Sequence, residues 1–454
     1  MESLPALKPI DRWMDGNRNP MVVIQSSELV TPALPLERRT LYLSNIDHQV
    51  FFHVEWIMVY DSIDNPRDWI EKLRECLAKI LVPYYFLAGS FKLNDENGRL
   101  EIDCNGAGVV FTRASMDATI AQLHNLRDPD PLFRKELITL PRNVESIQDL
   151  PLLTLQVTEF QCGGIALGIC ASHVAMDGFS AYNFLHDYTK IVRGCQEFFP
   201  NPSPDRSLLL PRSPPHTSYD HKEMQRLPEI PPKVLFDPRS FSPELDHTNL
   251  AFKVLEFTPG MIQSLKNTVL GSQWIKRPST FEVLAAHIWQ ARTKSMDHLA
   301  PGDPSKLFLV TSTRGKLDLP ENFCGNAVVG ASCVDATAGE IRRQSLAFCV
   351  DRVRRALAST GTEEYVRSQI DWCELHRGMI NIPGGTIITP WWKIPFQDLD
   401  FGFGRPSYVT PVVNDRAEFV VIVSNCKNDG GLGVFLAMEK ERMPSLEANL
   451  LSCF

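Results

Sequence analysis

The chain is 454 residues long, and its 46 Lys and Arg against 54 Asp and Glu give a formal charge of −8 at neutral pH. With 44% hydrophobic and 22% charged residues it has the apolar supply for a sizeable core, which excludes a disordered chain. The acidic balance excludes a general nucleic-acid binder, which needs a basic face to displace counterions, but leaves room for a local basic pocket that takes a polyanionic small molecule.

The segment from Met1 to Trp13 carries Glu2 and two early prolines and lacks the apolar stretch of a signal peptide. No apolar run approaches the roughly 18 to 20 residues of a membrane helix, and Leu451 to Phe454 matches neither a peroxisomal nor a prenylation signal. A cytoplasmic protein without a membrane span is expected. Its eleven cysteines include no CxxC pair, as for reduced and mostly buried thiols. Cys162, Cys170 and His173 lie close together, yet packing residues on two strands account for them better than a metal site, so no metal is expected.

In chain order, the aromatic and β-branched run from Val50 to Tyr60 predicts a buried strand. A helix follows, with Asn65 as its cap, Pro66 at its first position and Ile70, Leu73, Leu77 and Ile80 on one face. Leu152 to Phe160 and Ile165 to Ser172 flank a Gly163-Gly164 turn and read as a β-hairpin. A second helix starts after Gly178, with Leu185, Tyr188 and Val192 on one face and Gly194 as its stop. Nine prolines between Pro200 and Pro232 forbid regular structure and predict a long crossover. Beyond it, Ser279 and Glu282 form a capping-box pattern before the helical run Phe281, Leu284, Ala285 and Ile288. Short strands are expected over 307–311, 419–423 and 433–437. The resulting expectation is an α/β chain of two similarly sized domains, 1–199 and 236–454, joined by a crossover over 200–235, with a site between them.

The most informative segment is His173-Val174-Ala175-Met176-Asp177-Gly178. A histidine leaving a strand beside a tight loop can project a neutral imidazole, the best general base near pH 7, into a cleft. Asp177 either orients that ring or braces the loop, and a buried, satisfied histidine is the competing account. The segment Asp400-Phe401-Gly402-Phe403-Gly404 reads by itself as a turn with aromatic anchors.

The pairing of these two segments, one in each half, resembles the plant BAHD acyltransferases, acyl-CoA-using enzymes of secondary metabolism that carry HxxxDG early and DFGWG late. Further similarities are Val30-Thr31-Pro32, Leu43 to Asp47, Pro83 to Gly89, Gln156 to Gly164, Ser279 to Glu282 and Gly325-Asn326, so the likeness runs over nearly the whole chain. Departures are Phe403 for Trp, Phe86 for Pro, Ser90 for Arg, and Cys324 before Gly325. The family likeness implies two mixed-sheet domains of chloramphenicol-acetyltransferase-like type with a tunnel between them, and a monomer. It implies no permanently bound cofactor, with acyl-CoA as co-substrate and a small-molecule alcohol or amine as acceptor.

Carried onto this chain, the resemblance makes His173 the base that deprotonates the acceptor. It makes Asp177 a loop-bracing residue, with Arg292 suggested as its partner, and Gly178 and residues 400–404 structural. Thr389 and Trp391 match a stretch whose hydroxyl and indole face the oxyanion of the tetrahedral intermediate; core packing accounts equally well for Trp391 and Trp392. Arg314 and Lys316 match a loop near the CoA phosphates, against the simpler account of a solvated basic loop. Arg377 lies near the place where shikimate-using members keep a carboxylate-binding arginine, in a poor local match. The implied reaction is hydroxycinnamoyl transfer from CoA to an ω-hydroxy acid, fatty alcohol or shikimate-like acceptor. The alternatives are N-acylation of a polyamine and a non-catalytic member that partners lipid-elongation enzymes.

Overall fold

Two six-stranded mixed sheets, each backed by helices, divide the chain. The computed structural model describes residues 22–454 except 62, 128, 142–143, 196–199, 227–230, 232–235, 238–248, 272–274, 377–378, 381–384, 413–417 and 426–428. The first sheet runs Val22–Val30, Val109–Met116, Leu153–Phe160, Ile165–Ser172, His53–Tyr60, Tyr408–Pro411. The second runs Leu250–Phe257, Leu432–Glu439, Phe419–Ser424, Thr386–Pro390, Leu307–Ser312, Val328–Cys333. Among the described residues no helix is long and apolar enough to cross a membrane.

The expected hairpin is present. Leu153–Phe160 pairs antiparallel with Ile165–Ser172, whose eight residues are all buried because both faces of the sheet are covered. One face packs on the helices Pro66–Ile80 and Gly178–Val192, where Ile70, Leu73, Leu77 and Ile80 form the stripe the spacing predicts. Each such side chain removed from water contributes about 2 kcal/mol. Pro66 does open the first helix, but Asn65 makes no side-chain capping bond and instead takes a left-handed turn at φ 53°. The capping box at Ser279 and Glu282 forms as expected and starts the helix Thr280–Ser295, which is buried against the second sheet.

The partition at the crossover needs one correction. Tyr408–Pro411, far along the second half, pairs antiparallel with His53–Tyr60 and so completes the first sheet. Residues 399–403 come with it. Phe401 is fully buried against Tyr60 and Tyr188, and Phe403 meets Tyr60 at 4.9 Å and Trp69 at 5.1 Å, both edge to face. The Asp400 carboxylate closes this loop by accepting from the backbone N–H groups of Gly402 (2.7 Å) and Gly404 (2.9 Å). Both glycines have φ near 105°, which side-chain-bearing residues rarely adopt, and a Cβ on Gly402 would lie 3.0 Å from the Trp69 ring.

The Asp400 loop sits at the Tyr60 end of its strand, whereas His173 follows Ser172, which pairs with His53 at the other end. At roughly 3.3 Å per residue the two are about 20 Å apart, so this motif is an anchor of the fold and not part of the His173 site. Accordingly, Phe401→Ala is expected to lower stability by about 3–5 kcal/mol, as for truncation of a buried aromatic. Phe403→Trp, at a half-buried position, is expected to change it far less, both read from urea denaturation midpoints.

Candidate active site

His173 is the first residue past the strand Ile165–Ser172, and Asp177 is the N-cap of the helix Gly178–Val192. Within the first half the loop between them is pinned by its backbone: the His173 N–H donates to Phe52 O at 2.8 Å, and that of Ala175 to Ser172 O at 3.1 Å. The Asp177 carboxylate accepts from Ser180 N at 2.9 Å, the bond that starts the helix. A strand, a four-residue turn and a capped helix thus fix where the imidazole leaves the backbone.

Asp177 is 2% exposed and faces the second half of the chain. Arg314 forks onto it, Nη1 to Oδ2 at 2.5 Å and Nη2 to Oδ1 at 2.9 Å, and Oδ2 also accepts from Ala327 N at 3.0 Å. Burial alone would raise the pKa of this carboxyl, but the Arg314 guanidinium and the two backbone donors outweigh it and hold it below the usual carboxylate range. The expected partner Arg292 is therefore replaced by Arg314. Arg292 is buried inside the second half, donating to Ala437 O at 2.9 Å and lying 3.3 Å from Thr386 Oγ1. Arg314, expected near the CoA phosphates, directs both terminal nitrogens of its guanidinium at Asp177 and Ser180.

His173 is half-buried, with the Phe52 ring edge-on at 5.1 Å. Its Nδ1 lies 3.0 Å from Asn326 Oδ1. The Asn326 amide can point only one way: its Nδ2 is surrounded by three acceptors, Asp47 Oδ1 (2.8 Å), His173 O (2.7 Å) and Val174 O (3.2 Å). The amide oxygen therefore faces the ring and needs a donor there, so Nδ1 carries the proton and Nε2 keeps its lone pair. Burial lowers the imidazole pKa, with the carboxylates of Asp177 and Asp47 and the Asn326 bond opposing. The ring is thus neutral at pH 7 with a free basic nitrogen, the state a general base requires.

The segment Gly325-Asn326 was legible only as a motif; its part in setting the ring was not. Arg206, in the crossover, was missed altogether. It is 1% exposed and donates to Ala175 O and Cys324 O, both at 2.9 Å, beneath the His173 loop. A Cβ on Gly325 would lie 2.8 Å from its guanidinium carbon, which is why glycine stands there. One of three arginines in a proline-rich crossover, it carries no sequence signal for this.

Thr389 and Trp391 lie at the end of the strand Thr386–Pro390 and in the turn after it. Trp391 packs on Trp56 and Phe396 of the first core and on the Val421 and Val423 face of the second sheet, so it spans the seam between the halves. A small open cleft runs beside it, between Tyr408–Val409 and Val423–Ser424. Lys316 is half-buried, and its loss of hydration lowers its pKa, with no carboxylate among the described residues pairing with it. Arg377 lies outside the described residues. Among the described residues no cluster of His, Cys, Asp and Glu has a metal-binding arrangement.

Because the Asp177 carboxylate is buried against the half-buried Arg314 across the seam, Asp177→Asn is expected to cost about 3 kcal/mol, and Arg314→Met somewhat less. The double substitution should cost less than the two single losses combined. Melting temperatures of the four proteins test this, and additive losses would contradict the pairing.

A family model described as the Transferase family matches residues 20–451. A hydroxycinnamoyltransferase of Narcissus pseudonarcissus is 32% identical over 441 residues, covering 93% of this chain and 98% of that protein. An omega-hydroxypalmitate O-feruloyl transferase of Arabidopsis thaliana is 29% identical over 433 residues, with 93% and 91% covered. In fold, the chain matches F. sporotrichioides TRI101, solved in complex with coenzyme A and T-2, with a TM-score of 0.73 at 18% identity, covering 90% and 97% of the two chains. The match of family model, relatives and two-sheet fold over almost all of its length makes this chain a member of the Transferase family, the BAHD acyltransferases.

Proposed function

We propose that the protein moves a hydroxycinnamoyl group from CoA to an alcohol acceptor, by direct attack on the thioester assisted by His173. The observation that carries this reading is the tethered ring: Nδ1 bonded to Asn326, Nε2 bare, and the imidazole neutral because burial depresses its pKa. Nε2 takes the hydroxyl proton as the acceptor oxygen bonds to the thioester carbonyl carbon. The tetrahedral intermediate then collapses, the C–S bond breaks, and the proton held on Nε2 passes to the departing CoA sulfur. Atoms and charges balance without an acyl-enzyme.

The oxyanion of that intermediate needs fixed donors, and the Thr389 hydroxyl and the Trp391 indole N–H are the candidates, on a short strand and turn beside the seam. Lys316 is the candidate for a CoA phosphate, because a desolvated ammonium without a carboxylate gains from an incoming anion. An alcohol of the ω-hydroxy-acid or shikimate class as acceptor is supported by the omega-hydroxypalmitate O-feruloyl transferase and by a shikimate O-hydroxycinnamoyltransferase of Nicotiana tabacum, 31% identical over 438 residues.

Purified protein is expected to release free thiol from p-coumaroyl- or feruloyl-CoA only when an alcohol acceptor is present. His173→Ala should lower kcat by roughly 10²- to 10⁴-fold. The acid limb of kcat/KM should fall below the ordinary histidine range, because activity is lost only as pH drops through the lowered pKa of His173. A folded protein that releases no thiol with any alcohol would favour the non-catalytic reading, and release with amines alone would favour N-acylation. Separately, Lys316→Ala should raise KM for acyl-CoA several-fold with kcat nearly unchanged. An unchanged KM would remove Lys316 from the CoA site.

A further inference from the structure

We propose that Asp47, with the Arg206 guanidinium beside it, is a positioning residue that keeps His173 in its Nδ1-protonated tautomer and stabilises its imidazolium form through the side chain of Asn326. The proposal rests on the reading of His173 as the base, and its geometry stands apart from that reading. Asp47, Asn326 and Arg206 come from three distant parts of the chain and are 0%, 0% and 1% exposed. Oδ2 of Asp47 accepts from the Ser44 backbone N–H and from Ser44 Oγ, both at 2.7 Å, and lies 3.5 Å from Arg206 Nε. Oδ1 points the other way and accepts from Asn326 Nδ2 at 2.8 Å and from Asn326 N at 3.3 Å.

Capping explains only half of this carboxylate. The helix it caps is the four-residue turn Asn45–His48, and a serine side chain with water would satisfy it. What capping leaves unexplained is a fully buried anion whose second oxygen reaches into the other half of the chain. The line Asp47 Oδ1, Asn326 amide, His173 Nδ1 joins a carboxylate to an imidazole with one amide interposed. In a low-dielectric site such a chain is polarised end to end, so positive charge developing on the ring is favoured by the distant carboxylate.

The carboxylate of the HxxxDG motif does not have this geometry. Asp177 spends its oxygens on Ser180 N, Ala327 N and the Arg314 fork, and none of these bonds reaches the ring. Two carboxylates therefore act on His173. Asp177 is neutralised by a bidentate guanidinium and acts through space, whereas Asp47 acts along hydrogen bonds. Arg206 limits the second effect by drawing charge toward Oδ2, and its bonds to Ala175 O and Cys324 O prevent it from swinging away. The aromatic ring of Phe52 on the remaining side is uncharged.

The test reads His173 directly, by ¹⁵N NMR of the full chain labelled at histidine, with His173→Gln used to assign the signal. In the wild type the signal should be that of a ring protonated at Nδ1 and bare at Nε2. Asp47→Asn keeps the shape and removes the charge. It should move the His173 titration midpoint to lower pH, carry the acid limb of kcat/KM with it, and lower kcat about tenfold or more. Asn326→Ala leaves Asp47 charged but breaks the hydrogen-bonded line and should likewise move the midpoint to lower pH, which decides the matter if Asp47→Asn does not fold, an unmoved midpoint overturning the proposal.

A wild-type ring protonated at Nε2 would overturn the proposal. So would an Asp47→Asn protein with a lower melting temperature and an unmoved His173 midpoint. If the midpoint shifts as expected while the acid limb of activity stays in place, the relay stands and it is the reading of His173 as the base that fails.

Discussion

The ion pair between Asp177 and Arg314 is the contact on which the site depends, because it is where the two halves of the chain are bolted together. A carboxylate taken out of water is costly unless its bonding capacity is filled, and here four donors fill it, three of them from the second half. The Asp177 carboxylate does two jobs. It starts the helix that follows the His173 loop, and it holds that loop against Gly325 and Asn326, which set the ring. An HxxxDG aspartate is easily read as a helper of the histidine, but its bonds show that it acts on the loop as a whole.

The remaining anchors are distributed so that the site is braced from several directions. Arg206 ties the crossover under the His173 loop, and the Asp400 loop locks the returning segment onto the first core some 20 Å away. That return matters. Because Tyr408–Pro411 joins the first sheet, the turn carrying Trp391 is strung between a strand of the second sheet and an anchor in the first. Its position is fixed by both bodies, and the cleft beside it is a product of that crossing.

Much of this was legible in the sequence, and what was not has a common cause. The stripe of the helix Pro66–Ile80, the hairpin before His173 and the capping box at Ser279 are local patterns, and local patterns survive folding. The His173 and Asp400 segments were found by their resemblance to the HxxxDG and DFGWG motifs of the family. Partnerships across the chain were not: Arg314 and Arg292 are both arginines in the second half, and spacing alone cannot say which one meets Asp177. Asn65 misled because Pro66 fixed the helix start without a side-chain cap, leaving the asparagine free to take a left-handed turn. Arg206 lay in a proline-rich stretch whose apparent lack of structure hid a fully buried guanidinium.

The depressed pKa of His173 bears on both halves of the proposed reaction. In the first half a stronger base would be better, since the acceptor hydroxyl holds its proton tightly. In the second half the protonated ring has to give that proton to a thiolate, and an alkyl thiol has a pKa of about 8.5. An imidazolium held well above that value would keep its proton and leave the thiolate to re-attack the new ester. Burial makes the imidazolium the stronger acid and favours release, while the carboxylates of Asp177 and Asp47 keep the ring basic enough to begin. A residue that must accept a proton and then return it within one turnover is best placed between these opposing pulls, and His173 has one from the surrounding protein and the other from two aspartates, each with a guanidinium beside it.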